Sequence, residues 1–124
     1  MEMKPAAAPK WPWADELDAM IAAASSHRKL FEKDQVRYLE VTIRPGEFVP
    51  VHTHRWCSVV YVQSTSDFIR HDGEGRILCD SRKARALPET PAVEWLEPLS
   101  PHSIVNVGTS VIHLLTVELK RAAA

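Results

Sequence analysis

Between Asp15 and Ser25 the apolar residues Leu17, Met20, Ile21 and Ala24 recur at helical spacing, and Asp15 can cap the amino end with Asp18 three positions on. This pattern predicts one short amino-terminal helix over 15–25. After it the period drops to two, with Leu39, Val41 and Ile43 on one face, Tyr38, Glu40 and Thr42 on the other, and Pro45-Gly46 as the stop. Further strand-like runs cover 48–54, 58–64, 67–71, 76–80, 92–96, 102–107 and 111–120. Turn signals separate them at Asp72-Gly73-Glu74-Gly75, Pro88 to Pro91, Pro98 to Pro101 and Gly108-Thr109. Many short strands with almost no helix predict an all-β sandwich or barrel.

The last run separates into two faces. Ile112, Leu114, Thr116, Glu118 and Lys120 lie on one side, and Val111, His113, Leu115, Val117 and Leu119 on the other. The charged side is expected to face water, which points His113 inward with the aliphatics.

The expected organisation is a flexible arm over 1–13, a single domain over 14–120 whose barrel occupies 36–120, and a disordered tail over 121–124. Trp11 and Trp13 are large aromatics in an otherwise polar arm, so that arm is expected to pack on the barrel or on a neighbouring subunit.

His52 and His54 stand two apart in a predicted strand. Both imidazoles then project from one face, as two ligands of one metal ion require, although a surface strand with two solvated histidines gives the same spacing. The surrounding segments say more. Pro45-Gly46-Glu-Phe-Val-Pro-Val-His52-Thr-His54 resembles the first motif of the cupin superfamily, with its glycine five residues before the histidine pair. Pro98-Leu-Ser-Pro101-His102-Ser-Ile-Val-Asn106-Val-Gly108 is similar to the second, with asparagine four residues after the histidine. The resemblance covers about 36 to 120 and implies a double-stranded β-helix, a jelly-roll barrel holding one divalent metal ion on His52, His54 and His102.

The family's first motif also carries a glutamate four residues after its second histidine, where this chain has Ser58. Three neutral imidazoles leave a dication its full charge, so the resemblance implies a Lewis-acidic centre that favours a small anionic chelating substrate. Cupins lacking the glutamate include non-haem Fe(II) dioxygenases, and the expected activity is of that oxidoreductase type, with Fe(II) favoured over Ni, Zn, Mn or Cu. Alternative readings are a non-catalytic barrel that binds or senses a small ligand, and an oxygen-independent metal-dependent isomerase or decarboxylase.

Around that centre, Ser58, His113, Trp56, Arg70 and Asn106 are candidates for the pocket or for support of the ligands. Arg37 and Arg70 are candidates for neutralising an anionic substrate, and Glu94 and Glu97 for bonding a ligand imidazole or acting as a base. Tyr61 and Phe68 read as barrel packing, Cys57 as a small buried hydrophobe, and His27 and His71, in or beside predicted turns, as solvated.

Composition narrows the partners. Of 124 residues, 45% are hydrophobic, and the 15 basic and 16 acidic residues nearly cancel, so no net field favours nucleic acid or an anionic membrane. No apolar run approaches the roughly 20 residues of a membrane span, and the start lacks a signal peptide's apolar stretch. A cytoplasmic protein with a small-molecule partner is expected, with two unpaired cysteines and, because sheets of this kind bury an edge by pairing, a homodimer.

Overall fold

A computed structural model describes residues 11–84 and 87–120. The expectations for residues 1–10 and for the 121–124 tail lie outside the described residues. After a 3-10 turn at Asp15–Leu17 and one helical turn, α1 (Ala19–Ala22), the described residues run through nine strands. These are β1 (His27–Glu32), β2 (Val36–Ile43), β3 (Phe48–His54), β4 (Ser58–Ser64), β5 (Phe68–Asp72), β6 (Ile77–Asp80), β7 (Ala92–Leu96), β8 (Leu99–Asn106) and β9 (Ile112–Leu119).

The strands form two antiparallel sheets, one ordered β1-β2-β9-β4-β7 and the other β3-β8-β5-β6. Side chains alternate across each strand, and the inward set of β2, Leu39, Val41 and Ile43, is buried as its period predicts. Val49, Val60, Val62 and Ile112 complete the buried aliphatics between the sheets.

The amino-terminal helix is shorter than its periodicity predicts. Asp18, not Asp15, caps it, accepting from the Met20 amide at 3.0 Å. Its buried residues are Ala19 and Ala23, while Ile21 is 62% exposed. Small side chains win because the turn lies tight against β3, where Asp18 bridges Thr53.

Strand β1 is missing from the sequence expectation. A register shift between Lys29 and Phe31 breaks its alternation: His27 pairs with Val41, an inward residue, whereas Phe31 pairs with Tyr38, an outward one. No period of two survives across such a bulge.

The faces of β9 are the reverse of those expected. Ile112, Thr116 and Glu118 are buried inside, and His113 lies on the outer face, where its Nε2 is 2.7 Å from Glu40 Oε2. Glu118 goes inside because it has buried partners there, which removes the usual reason for a carboxylate to seek water. The outer surface of the five-stranded sheet carries the apolar residues instead. Phe31, Tyr38, Val117, Val59 and Trp95 stand opposite one another in register across all five strands, with Trp95 55% exposed. Tyr61 belongs to this outer face and not to the barrel packing.

Candidate metal centre

Four histidines meet at one end of the barrel interior. His52 on β3 and His102 on β8 are direct partners across the ladder, with ring centroids 4.3 Å apart. The centroid of His54 lies 5.0 Å from that of His52 and 5.8 Å from that of His102. His27, read from the sequence as solvated, is buried, and its centroid lies 5.1 Å from His52 and 5.3 Å from His54. Nitrogens of His27, His52 and His54 all fall within 4.8 Å of one another, close enough to hold one metal ion. His27 gets there because β1 begins at it, opposite inward-facing Val41, directly after the α1 turn.

The second nitrogen of each ring is already engaged. His52 Nδ1 donates to the Pro50 carbonyl at 2.7 Å and His102 Nδ1 to the Ser100 carbonyl at 2.8 Å. His27 Nδ1 donates to the Ala23 carbonyl at 3.1 Å, and His54 Nδ1 lies 3.3 Å from Glu118 Oε2. Carbonyl and carboxylate oxygens only accept, so each contact places the proton on Nδ1 and leaves Nε2 with the lone pair. This is the arrangement that orients an imidazole for a metal.

Burial, with the neighbouring imidazoles His54 and His52, holds the pKa of His27 down at about 3. Burial and His54 hold His52 at about 4, and burial and His52 hold His102 at about 3. These three rings are therefore neutral at physiological pH, as a ligand set must be.

A buried ionic chain stands behind His54. Glu118, with 0% exposure, takes a 2.5 Å bond from Arg37 Nε on its Oε1. The two terminal nitrogens of Arg37 donate to Asp18 at 2.9 Å each. Burial opposes the charge on both Arg37 and Asp18, but their mutual hydrogen bonds, with that of Glu118 to Arg37, outweigh it: Arg37 is pushed up and Asp18 held down.

Arg37 is thus spoken for, and its guanidinium carbon also sits 5.0 Å over the ring of Trp56. Trp56 consequently lines an outer hollow with Trp11, Asp18 and Arg37 and not the histidine cavity, which corrects its candidacy for the pocket. Trp11 and Trp13 pack edge to face, 4.8 Å between centroids.

The cavity beside the histidines measures about 70 Å3 and is lined by Ser58, Val60, Arg70, Leu96, Glu97 and Thr116 among others. Ser58 is buried there, opposite Glu118 in the β4–β9 ladder. Glu97 is exposed, and its carboxylate takes bonds from Trp95 Nε1 and, at 3.7 Å, the Cys57 thiol. His113 does not reach this space, because the reversed face of β9 carries it outside. Asn106 is also away from it. Its amide donates to the carbonyls of Ile43 and Ser110 at 2.9 Å each, and its oxygen accepts from the Gly108 amide at 3.0 Å, so it ties down the loop after β8.

No protein-family model matches the chain, and no curated protein matches its sequence. Solved structures do. The fold is similar to that of a cupin domain from Bordetella pertussis, at 16% identity, TM-score 0.57, covering 77% of this chain and 92% of the other. An RmlC-like cupin family protein with a double-stranded β-helix fold from Methanocaldococcus jannaschii matches at 12% identity and TM-score 0.52, covering 75% of this chain and 77% of the other. A conserved double-stranded β-helix domain protein from Klebsiella pneumoniae matches at 16% identity and TM-score 0.50, covering 79% and 81%. At identities this low the likeness is one of fold.

Proposed function

Because the chain has the double-stranded β-helix fold of the cupins, we propose that it is a metal-dependent oxidoreductase of the non-haem Fe(II) dioxygenase type, acting on a small anionic chelating substrate. His52, His54 and His102 hold the ion, and His27 supplies a fourth imidazole. The observation that carries this reading is the shared state of the four rings, each with Nδ1 against an oxygen acceptor and Nε2 bare.

Four imidazole donors fill the shell of a tetrahedral ion such as structural zinc but leave positions open on a six-coordinate ion such as Fe(II). Bound there, such an ion supplies Lewis acidity and one-electron redox chemistry toward an anionic substrate and O2. The chain's own residues do the rest. Glu118 and three backbone carbonyls fix the imidazoles, and Leu96, Leu99 and Ile104 exclude water from one side. Arg70 and Ser58 add a cation and a hydroxyl to the wall.

Anaerobic reconstitution with Fe(II) tests the reading: an equimolar metal content, followed by O2 uptake with a member of a panel of diketones, thiols and hydroxy-aromatics, is expected. Metal uptake with turnover that needs no O2 would instead identify an isomerase or decarboxylase. Ligand binding without turnover would identify a sensor or carrier. No uptake of Fe(II), Ni(II), Zn(II), Mn(II) or Cu(II) overturns the metal centre itself.

The homodimer is also part of the proposal, and the outer face of the five-stranded sheet supports it. The apolar row from Phe31 to Trp95, with Val93 beside it at 66% exposure, is more apolar surface than a lone barrel needs. No described helix is long and apolar enough to cross a membrane.

A further inference from the structure

The barrel interior does not end at the histidines. Val60, Leu96, Ile104 and Leu114 line both the cavity of about 70 Å3 and an adjoining one of about 400 Å3. Val62 and Phe68 extend its apolar wall. A volume of that order is in the range of small-molecule sites, whereas the histidine end alone has room for little beyond an ion and the reacting atoms of a ligand.

Arg70 is at the junction, lining both spaces. Its Nε is buried and has no hydrogen-bond partner, and among the described residues no carboxylate forms an ion pair with it. The contrast with Arg37 is direct. Both guanidiniums lie over an aromatic ring, Arg70 at 5.7 Å from the Phe68 centroid, but Arg37 is paired with Asp18 and Glu118 while the buried Nε of Arg70 has no acceptor. A half-buried guanidinium whose Nε has lost water and gained no acceptor is costly to keep, which marks a group whose partner arrives from solution.

The charges around it set the kind of partner. Cys79, opposite Arg70 in the β5–β6 ladder, and Glu94 on β7 both line the larger chamber, and neither bonds the guanidinium. One free cation beside a carboxylate suits a monoanion, not a phosphate dianion. We propose that this junction is the carboxylate subsite for a monocarboxylic acid with an apolar body. The carboxylate pairs with Arg70, the body fills the chamber walled by Val60, Val62, Phe68, Leu96, Ile104 and Leu114, and the end nearest the carboxylate is presented to the histidines. This deepens the reading above and rests on it for the claim that the histidine end is the reactive end.

The test uses the full chain, metal-free, titrated calorimetrically with acetate, hexanoate, phenylacetate and cinnamate, each beside its primary amide. The expected result is that the acids with an apolar body bind at least about tenfold tighter than their amides and than acetate. Arg70→Gln removes that preference and leaves the amides unchanged, and Arg70→Lys restores part of it. Leu114→Phe, which fills the chamber, weakens phenylacetate and spares acetate. Should Arg70→Gln fail to fold, the acid-against-amide comparison in the unaltered protein decides. Equal binding of acids and amides, binding of neither, or acids held by a folded Arg70→Gln as tightly as before overturns the subsite. Metal content of the same preparations separates the two proposals: metal uptake without carboxylate preference removes this one alone, and preference without uptake removes the metal centre alone.

Discussion

Glu118 faces Ser58 directly across the β4–β9 ladder, both side chains buried in the barrel. The carboxylate that the cupin motif would place at position 58 is thus present one strand away, bonded to His54 and neutralised by Arg37. It braces His54, a ligand of the proposed centre, and the small serine opposite leaves it room.

Removing that carboxylate has two separable effects. Glu118→Ala leaves Arg37 Nε without an acceptor while Asp18 keeps the rest of the guanidinium, and a cost of about 1–3 kcal/mol is expected in urea unfolding, while the paired change Arg37→Met with Glu118→Leu costs less than Glu118→Ala alone. Glu118→Gln keeps an acceptor for His54 and folds, but its metal affinity falls by about 10–100-fold in a competition titration with a chelator. An unchanged affinity would show that His54 needs no such brace.

His27 distinguishes a four-imidazole centre from a three-imidazole one. His27→Ala is expected to weaken metal binding by at least about tenfold and to remove one nitrogen scatterer from the X-ray absorption of the loaded protein. His71→Ala, on β5 and outside the cavity lining, leaves both unchanged.

The metal-free protein is expected to lose stability on mild acidification. His27, His52 and His102 have folded-state pKa values of about 3, 4 and 3, below the usual 6.5, so the unfolded chain binds protons that the folded one refuses. Stability is therefore fully present above about pH 6.5 and declines as the pH falls toward 4, each ring contributing a slope of about 1.4 kcal/mol per pH unit in that window. Thermal melts from pH 7.5 to pH 4.5 check this, and replacing His102 by Gln flattens the slope.

Light scattering tests the outer sheet face. A dimer is expected for the unaltered chain and a monomer for Val59→Glu with Trp95→Glu, two neighbours in that apolar row. A dimer that survives both changes would move the contact elsewhere.

Much of this architecture is legible in the chain. The bounds of β3, β4 and β7 coincide with the predicted runs; Pro45-Gly46 stands before β3, Ser66 after β4, and Pro91 and Pro98 on either side of β7, where they stop the alternation. His52 and His54 are legible as a pair because one local motif carries both, and His102, in a second motif, meets them through the β3–β8 ladder. What sequence misreads is non-local. The bulge in β1 hides His27 by breaking a period of two, and the turn signal before it points toward solvent. Glu118 misleads for a related reason: alternation shows that β9 has two faces, but which is inside depends on Arg37, 81 positions away. Where both faces carry aliphatics, only the partner of the charged group decides which turns inward. His113 and Trp56 leave the pocket by the same logic, following a face and an arginine that no window around them contains.

The Ala23 carbonyl that holds His27 belongs to the end of the α1 turn, so the first described segment of the chain is tied to the barrel through a residue of the proposed metal centre. Occupancy of the site then acts as a clasp on that segment. Amide protons from Asp18 to Glu32 should exchange more slowly when the ion is bound, while those of β4 and β9 hardly change, making the chain's beginning a gauge of its own metal status.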